Sequence, residues 1–133
     1  MDSFTLGSSV PVGPLIFWVV LLSIKHLFGD FFLQTKWIAE GKEAKTGWAE
    51  PLLVHCAIHG ALTLALLLAF APRLWFLGPV DFVIHIVADR AKGYFVARFG
   101  FGPSEAWFWW LLGIDQTYHR LTDFGLALFL ALH

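Results

Sequence analysis

Cysteine is almost absent from this chain: Cys56 is the only one in 133 residues. A disulfide-stapled scaffold is therefore excluded. Charge is scarce as well, at 14% Asp, Glu, Lys and Arg, where soluble domains carry about 25%. Nine Lys and Arg against ten Asp and Glu leave a formal charge of −1, which argues against a nucleic-acid partner held by charge. The chain also lacks a phosphate-cradling glycine loop, a G-x-S-x-G elbow and an H-E-x-x-H zinc motif. What it has in excess is apolar surface. Hydrophobic residues make up 58%, with seven Trp and fourteen Phe, and the mean hydropathy is +0.69. Such a composition excludes a disordered chain, and the length allows one domain.

The apolar residues fall into four runs, each long enough for a membrane helix of ~20 residues. Gly, Ser and Pro fill a leader, residues 1–13, expected to be flexible. Residues 14–133 form a single domain with spans expected at 14–39, 51–71, 77–99 and 105–132. Asp2 is the only early charge and the first run continues too far for a signal peptide, so it reads as a retained helix. The runs show no sustained period of two, which disfavours strands. The expected fold class is all-α: a polytopic four-helix transmembrane bundle with a polar His/Asp core. Lys36, Lys42, Lys45 and Arg98 fall in two loops on one side, and Arg73 alone on the other. The excess of positive charge on one side predicts that both longer loops face the cytoplasm and both termini lie on the opposite side of the membrane. Trp37, Trp48, Trp107, Trp109 and Trp110 fall near the cytoplasmic interface, as membrane-anchoring indoles do.

The informative pattern is polar residues four apart inside apolar runs. Span one has His26 and Asp30; span two has His55 and His59. Span three has Asp81, His85 and Asp89; span four has Asp115, His119 and Asp123. Residues i and i+4 share a helix face, so each helix presents a polar stripe. An Asp at the bilayer centre costs roughly 2.5–3.5 kcal/mol, so the stripes are expected to face inward and meet. Counted from the span ends, they lie at similar depth. Asp81, close to a span end, reads as the weakest member, an N-terminal charge.

Lys25, Arg90, Lys92 and Arg120 are the basic partners within the spans, and even full pairing leaves one Asp over. A divalent cation would supply that charge and bind imidazoles too. His26, Asp30, His55, His59, His85, Asp89 and His119 are the expected metal ligands. Zinc suits them first, with iron or manganese as alternatives. Asp123 and Asp115 are the candidate catalytic carboxylates. Gln34, Gln116, Arg90, Lys92 and Arg120 are expected to orient ligands or hold an anion. Cys56 reads as packing, and Gly29, Gly60, Gly93 and Gly125 as points of close helix approach.

The motifs KHLFGDFFLQTKW, LLVHCAIHG, DFVIHIVADRAKG and GIDQTYHRLTDF, in that order, resemble a family of small bacterial membrane proteins catalogued as a domain of unknown function. The resemblance runs from about residue 24 to 124. It implies an inner-membrane location and no established activity. A looser similarity, in style, is to membrane-bound metal-dependent hydrolases with intramembrane His and Asp.

Two functions follow as expectations. One is a metal-dependent hydrolase acting on a lipid-like substrate, with the bilayer as its setting. The other is a non-catalytic accessory or assembly subunit of a larger membrane complex, with a structural polar or metal core. Transport of protons or metal ions is a further alternative. Haem is disfavoured, because its pocket would be unusually rich in carboxylates.

Overall fold

Pro11 sits in extended backbone and Val12 opens the first helix, α1 (Val12–Leu27). The computed structural model describes residues 9–133. The helix therefore begins inside the expected leader, and residues 1–8 of that leader lie outside the described residues. At Phe28–Phe32 the helix widens into a single π turn, closed by the Leu33 amide on the Phe28 carbonyl at 2.9 Å.

The first helix stops there, short of the expected residue 39. Gln34 Nε2 donates to the Asp30 carbonyl at 2.8 Å, which satisfies an acceptor released at the helix end. Thr35 then adopts an extended conformation, and its Oγ1 accepts from the Ile38 amide. That is an N-cap, and it starts a separate short helix, α2 (Lys36–Gly41).

Three long helices follow: α3 (Ala49–Phe70), α4 (Leu77–Phe99) and α5 (Ala106–Leu132). A 3₁₀ turn at Pro72–Leu74 joins α3 to α4. Gly100, at φ +68°, closes α4 in the left-handed conformation that glycine adopts without penalty. Among the described residues there is no strand.

The helices α1, α3, α4 and α5 pack side by side. Helix α1 contacts α3 and α5, and α4 contacts the same two. Val12–Phe32 and α3 are long and apolar enough to cross a membrane. Helices α4 and α5 are as long but carry Asp81, Asp89, Arg90 and Lys92, and Asp115, Arg120 and Asp123, along their length.

Packing is layered. One end is apolar, built from Trp18 and Leu22 of α1, Leu67 of α3, Leu77 of α4, and Leu126, Ala127 and Leu130 of α5. The rest of the interior is mostly polar, with Ile38, Leu52 and Cys56 buried beside the polar groups. Lys25, Thr63, Asp81 and Asp123 come next to the apolar layer in each helix, one turn further along. The exterior is the reverse. Ile16, Leu68, Val83, Val87, Ile114 and Leu121 are all more than half exposed.

Candidate functional site

Stepping by four along each helix puts one imidazole from each into the same level. His26 of α1, His59 of α3, His85 of α4 and His119 of α5 are all buried. Their rings form a closed circuit. His59 and His85 stack at 4.3 Å between centroids, His85 and His119 at 4.4 Å, His119 and His26 approach at 5.7 Å, and His26 and His59 at 5.6 Å. The order of the circuit is the order in which the helices touch.

On one side of the imidazoles lies an ammonium-centred group. Lys25 Nζ donates to Asp81 Oδ2 at 2.9 Å and lies 3.5 Å from Asp123 Oδ1. Thr63 Oγ1 also donates to Asp81 Oδ2, at 2.5 Å, and His85 Nδ1 lies 3.0 Å from the Asp81 carbonyl and 3.1 Å from its Oδ1. The reading of Asp81 as a helix-end charge is therefore corrected. Helix α4 begins a turn earlier, at Leu77, and Asp81 is completely buried.

On the other side lies a carboxylate layer. Asp30 accepts from His26 Nε2 at 3.0 Å, His59 Nε2 at 2.9 Å and Gln116 Nε2 at 3.0 Å, and His55 Nε2 is 3.5 Å away. It thus ties together α1, α3 and α5. Asp89 accepts from Lys42 Nζ at 3.0 Å, and its Oδ2 lies 3.5 Å from His119 Nε2 and 3.9 Å from His55 Nε2. Asp115 lies 3.2 Å from His119 Nε2 and 3.3 Å from Lys92 Nζ.

The π turn positions Asp30. A π turn inserts an extra residue into the helix, and such turns recur at functional sites. Gly29 is what allows it to meet α3. A Cβ at this position would overlap the His59 ring, and that ring is held between Asp30 and His85. Gly29→Ala is expected to lower stability by about 1–3 kcal/mol through overpacking. Gly125→Ala is the control, because the space around Gly125 is open; the reading of Gly125 as a close contact is thereby corrected. Thermal unfolding in detergent separates the two. A Gly29→Ala protein as stable as the Gly125→Ala protein would contradict the packing described.

Residues singled out for ligand orientation or anion binding divide. Gln116 bridges His26 and Asp30. Gln34 holds only the Asp30 backbone. Lys92 is taken up by Asp115 and by Glu43 at 2.8 Å. The Arg90 guanidinium carbon lies over the Trp48 ring, 3.7 Å from its centroid, and Arg120 is exposed. Cys56 is fully buried and belongs to none of the three His/Asp groups with metal-compatible spacing. Two buried cations had no place in the stripe pattern. Lys25 lies next to His26, and Lys42 comes from the polar segment after α2, read from the sequence as part of a loop. Lys25 is among the basic partners expected within the spans, and it follows Leu22 by three and precedes Gly29 by four. Nothing local marks Lys42.

Those three groups are His26, His59 and His85; Asp30, His55 and His59; and Asp89, Asp115 and His119. In each, one donor atom per residue lies within 4.8 Å of the others.

An all-helical protein with a buried interior of carboxylates and imidazoles under an apolar exterior is the class that this fold and site define. Over residues 17–127 the chain matches the family described as Protein of unknown function (DUF3307), and it belongs to that family. No curated protein and no solved structure matches it.

Proposed function

We propose that this is a multi-pass membrane protein whose four long helices enclose a divalent-metal site, and that the site serves a metal-dependent hydrolase acting on a membrane-borne, lipid-like substrate. The membrane reading rests on the inverted distribution of residues. The charges of α4 and α5 are, Arg90, Arg98 and Arg120 aside, turned toward the interior, while apolar side chains face out. Hydrocarbon accepts that arrangement and water does not. In this reading the Lys- and Arg-rich loops face the cytoplasm of the inner membrane.

One observation carries the metal reading. His26, His59 and His85 each direct one ring nitrogen at a carboxylate or carbonyl, while the other nitrogen is buried without a partner. Metal-bound histidines are held in this way, the far nitrogen fixing the ring and leaving the near one to bind. Three imidazoles with an open fourth position are a catalytic zinc set. Charge agrees: Asp30, Asp81, Asp89, Asp115 and Asp123 meet Lys25, Lys42 and Lys92, leaving two negative charges over. Separations such as 3.5 Å from His55 to Asp30 and from His119 to Asp89 are long for hydrogen bonds. They are close to the ~3.3–3.5 Å between donors sharing one zinc.

A bound divalent cation would supply the activated water. Asp123 is suited to take its proton, because both its carboxylate oxygens are buried without a hydrogen-bond partner. Access from the lipid side is offered between α4 and α5. A cleft of about 260 Å³ there is walled by Val87, Ala91, Phe95, Leu111 and Ile114, with Lys92 and Asp115 among its lining residues. An acyl chain fits such walls.

The test is elemental analysis of the detergent-purified protein. About one zinc, iron or manganese per chain is expected, falling about ten- to a hundredfold in His59→Ala and His85→Ala. Metal-free protein, or variants with unchanged metal, would overturn the reading. The accessory-subunit alternative draws on Arg120, a charge exposed near the middle of α5. Copurification of a defined partner that Arg120→Leu abolishes, with no lipid turned over, would favour it.

A further inference from the structure

Lys45, Arg90 and Arg98 line one open cleft of about 340 Å³ with Tyr94, Ala44 and Ala97. We propose that this cleft is a phosphate-binding site, separate from the His/Asp interior. The first reason is that the three cations are unspent. Lys36, Lys42 and Lys92 all have carboxylate partners. Among the described residues no carboxylate pairs with Lys45, Arg90 or Arg98, and no acidic residue lines the cleft. Three like charges around one space repel one another, and an oxyanion removes that repulsion.

The second reason is the state of Arg90. Its guanidinium carbon sits 3.7 Å from the centroid of the Trp48 ring, a cation–π contact that holds the group in place, and Nη1 is buried without a partner. A fixed guanidinium with free donors presents the fork that matches phosphate oxygens. Lys45 and Arg98 are exposed on the rim and free to close over a ligand. Tyr94, also on the lining, adds a hydroxyl able to donate.

The cleft lies on the Lys- and Arg-rich side, beside the end of α4. If the helices cross a membrane, lipid phosphates stand at that level. A phospholipid headgroup and a soluble phosphate ester share the chemistry, and only the lipid source depends on the membrane reading. The metal reading is not involved.

The test compares the wild-type chain with Lys45→Gln/Arg98→Gln, both exposed positions whose change leaves the helices intact. Native mass spectrometry would follow adducts with dioleoyl phosphatidate, dioleoyl phosphatidylglycerol and dioleoyl glycerol, the last lacking phosphate. Calorimetric titration would follow inorganic phosphate and glycerol 3-phosphate. Binding of either phosphate class, weakened about tenfold or more in the double variant by loss of charge-assisted bonds, supports the site. Adducts with the two phospholipids alone assign it to headgroups; binding of the soluble esters alone assigns it to free phosphates. Equal binding by wild type and variant, or no preference for phosphatidate over dioleoyl glycerol together with no soluble binding, overturns it. Metal content measured in parallel is expected to be the same in both proteins, so the two readings fail separately.

Discussion

Asp30→Ala is expected to abolish binding of the proposed metal and to unfold at a markedly lower temperature than any variant on the protein's exterior. Asp30 accepts from His26, His59 and Gln116 and stands 3.5 Å from His55. Its removal leaves His59 Nε2 on α3 and Gln116 Nε2 on α5 without an acceptor, while His26 Nε2 keeps only the Gln116 oxygen at 3.2 Å. Breaking a buried charged group away from its partners costs about 3–5 kcal/mol. Asp30→Asn is not a mild replacement here. Every neighbour of the carboxylate donates, so the amide nitrogen would face another donor. Both variants are expected to lose at least tenfold in metal affinity, the scale on which anchoring groups act. Thermal unfolding in detergent, with metal measured per folded chain, checks both effects. An Asp30→Asn protein with wild-type stability and wild-type metal would remove Asp30 from the centre of the site.

Much of this interior could be read from the sequence because polar residues four apart in apolar runs have few places to go. A pair such as His55 and His59 must share a face, and a bilayer disfavours that face outside. What could not be read has a physical reason in each case. Lys25 is legible as a basic partner within its span, but it lies ~100° around the helix from His26, so a strict four-residue stripe does not place it inside. A helix wedged among neighbours buries a wider arc, however, and Leu22, Lys25, His26 and Gly29 occupy that arc together. Lys42 reaches Asp89 across 47 positions from a segment with no periodicity. The break after Phe32 depends on a side chain capping a carbonyl and on Thr35 leaving the helical conformation; apolar content continues through both. Lys92 and Arg120 looked equivalent, a cation beside a stripe. Lys92 follows Asp89 by three and turns inward to Asp115, whereas Arg120 follows His119 by one and turns out.

The pair at the other edge of the imidazoles supplies a different kind of test. Lys25 and Asp81 have side chains 1% and 0% exposed and meet at 2.9 Å. Lys25→Met is expected to destabilise by about 3–5 kcal/mol, because it leaves a buried carboxylate without its cation. Asp81→Leu leaves the ammonium with only Asp123, 3.5 Å away, and strands the Thr63 hydroxyl, while His85 Nδ1 keeps the residue 81 backbone carbonyl. The double variant removes both charges together and should be less destabilised than the two single losses combined, as coupled sites are. Recovery should stop short of wild type, since Asp123, 3.5 Å from Lys25, would still lack its cation. Chemical unfolding in mixed micelles across the cycle measures the coupling; additive losses would mean that the two groups do not face each other. Metal distinguishes this edge from the Asp30 edge. Removing Lys25 makes the surroundings of His26 and Asp123 more negative, so metal per folded Lys25→Met chain should hold or rise, where Asp30→Ala loses it. Opposite metal responses at similar losses of stability would separate the groups that bind a cation from those that only balance charge.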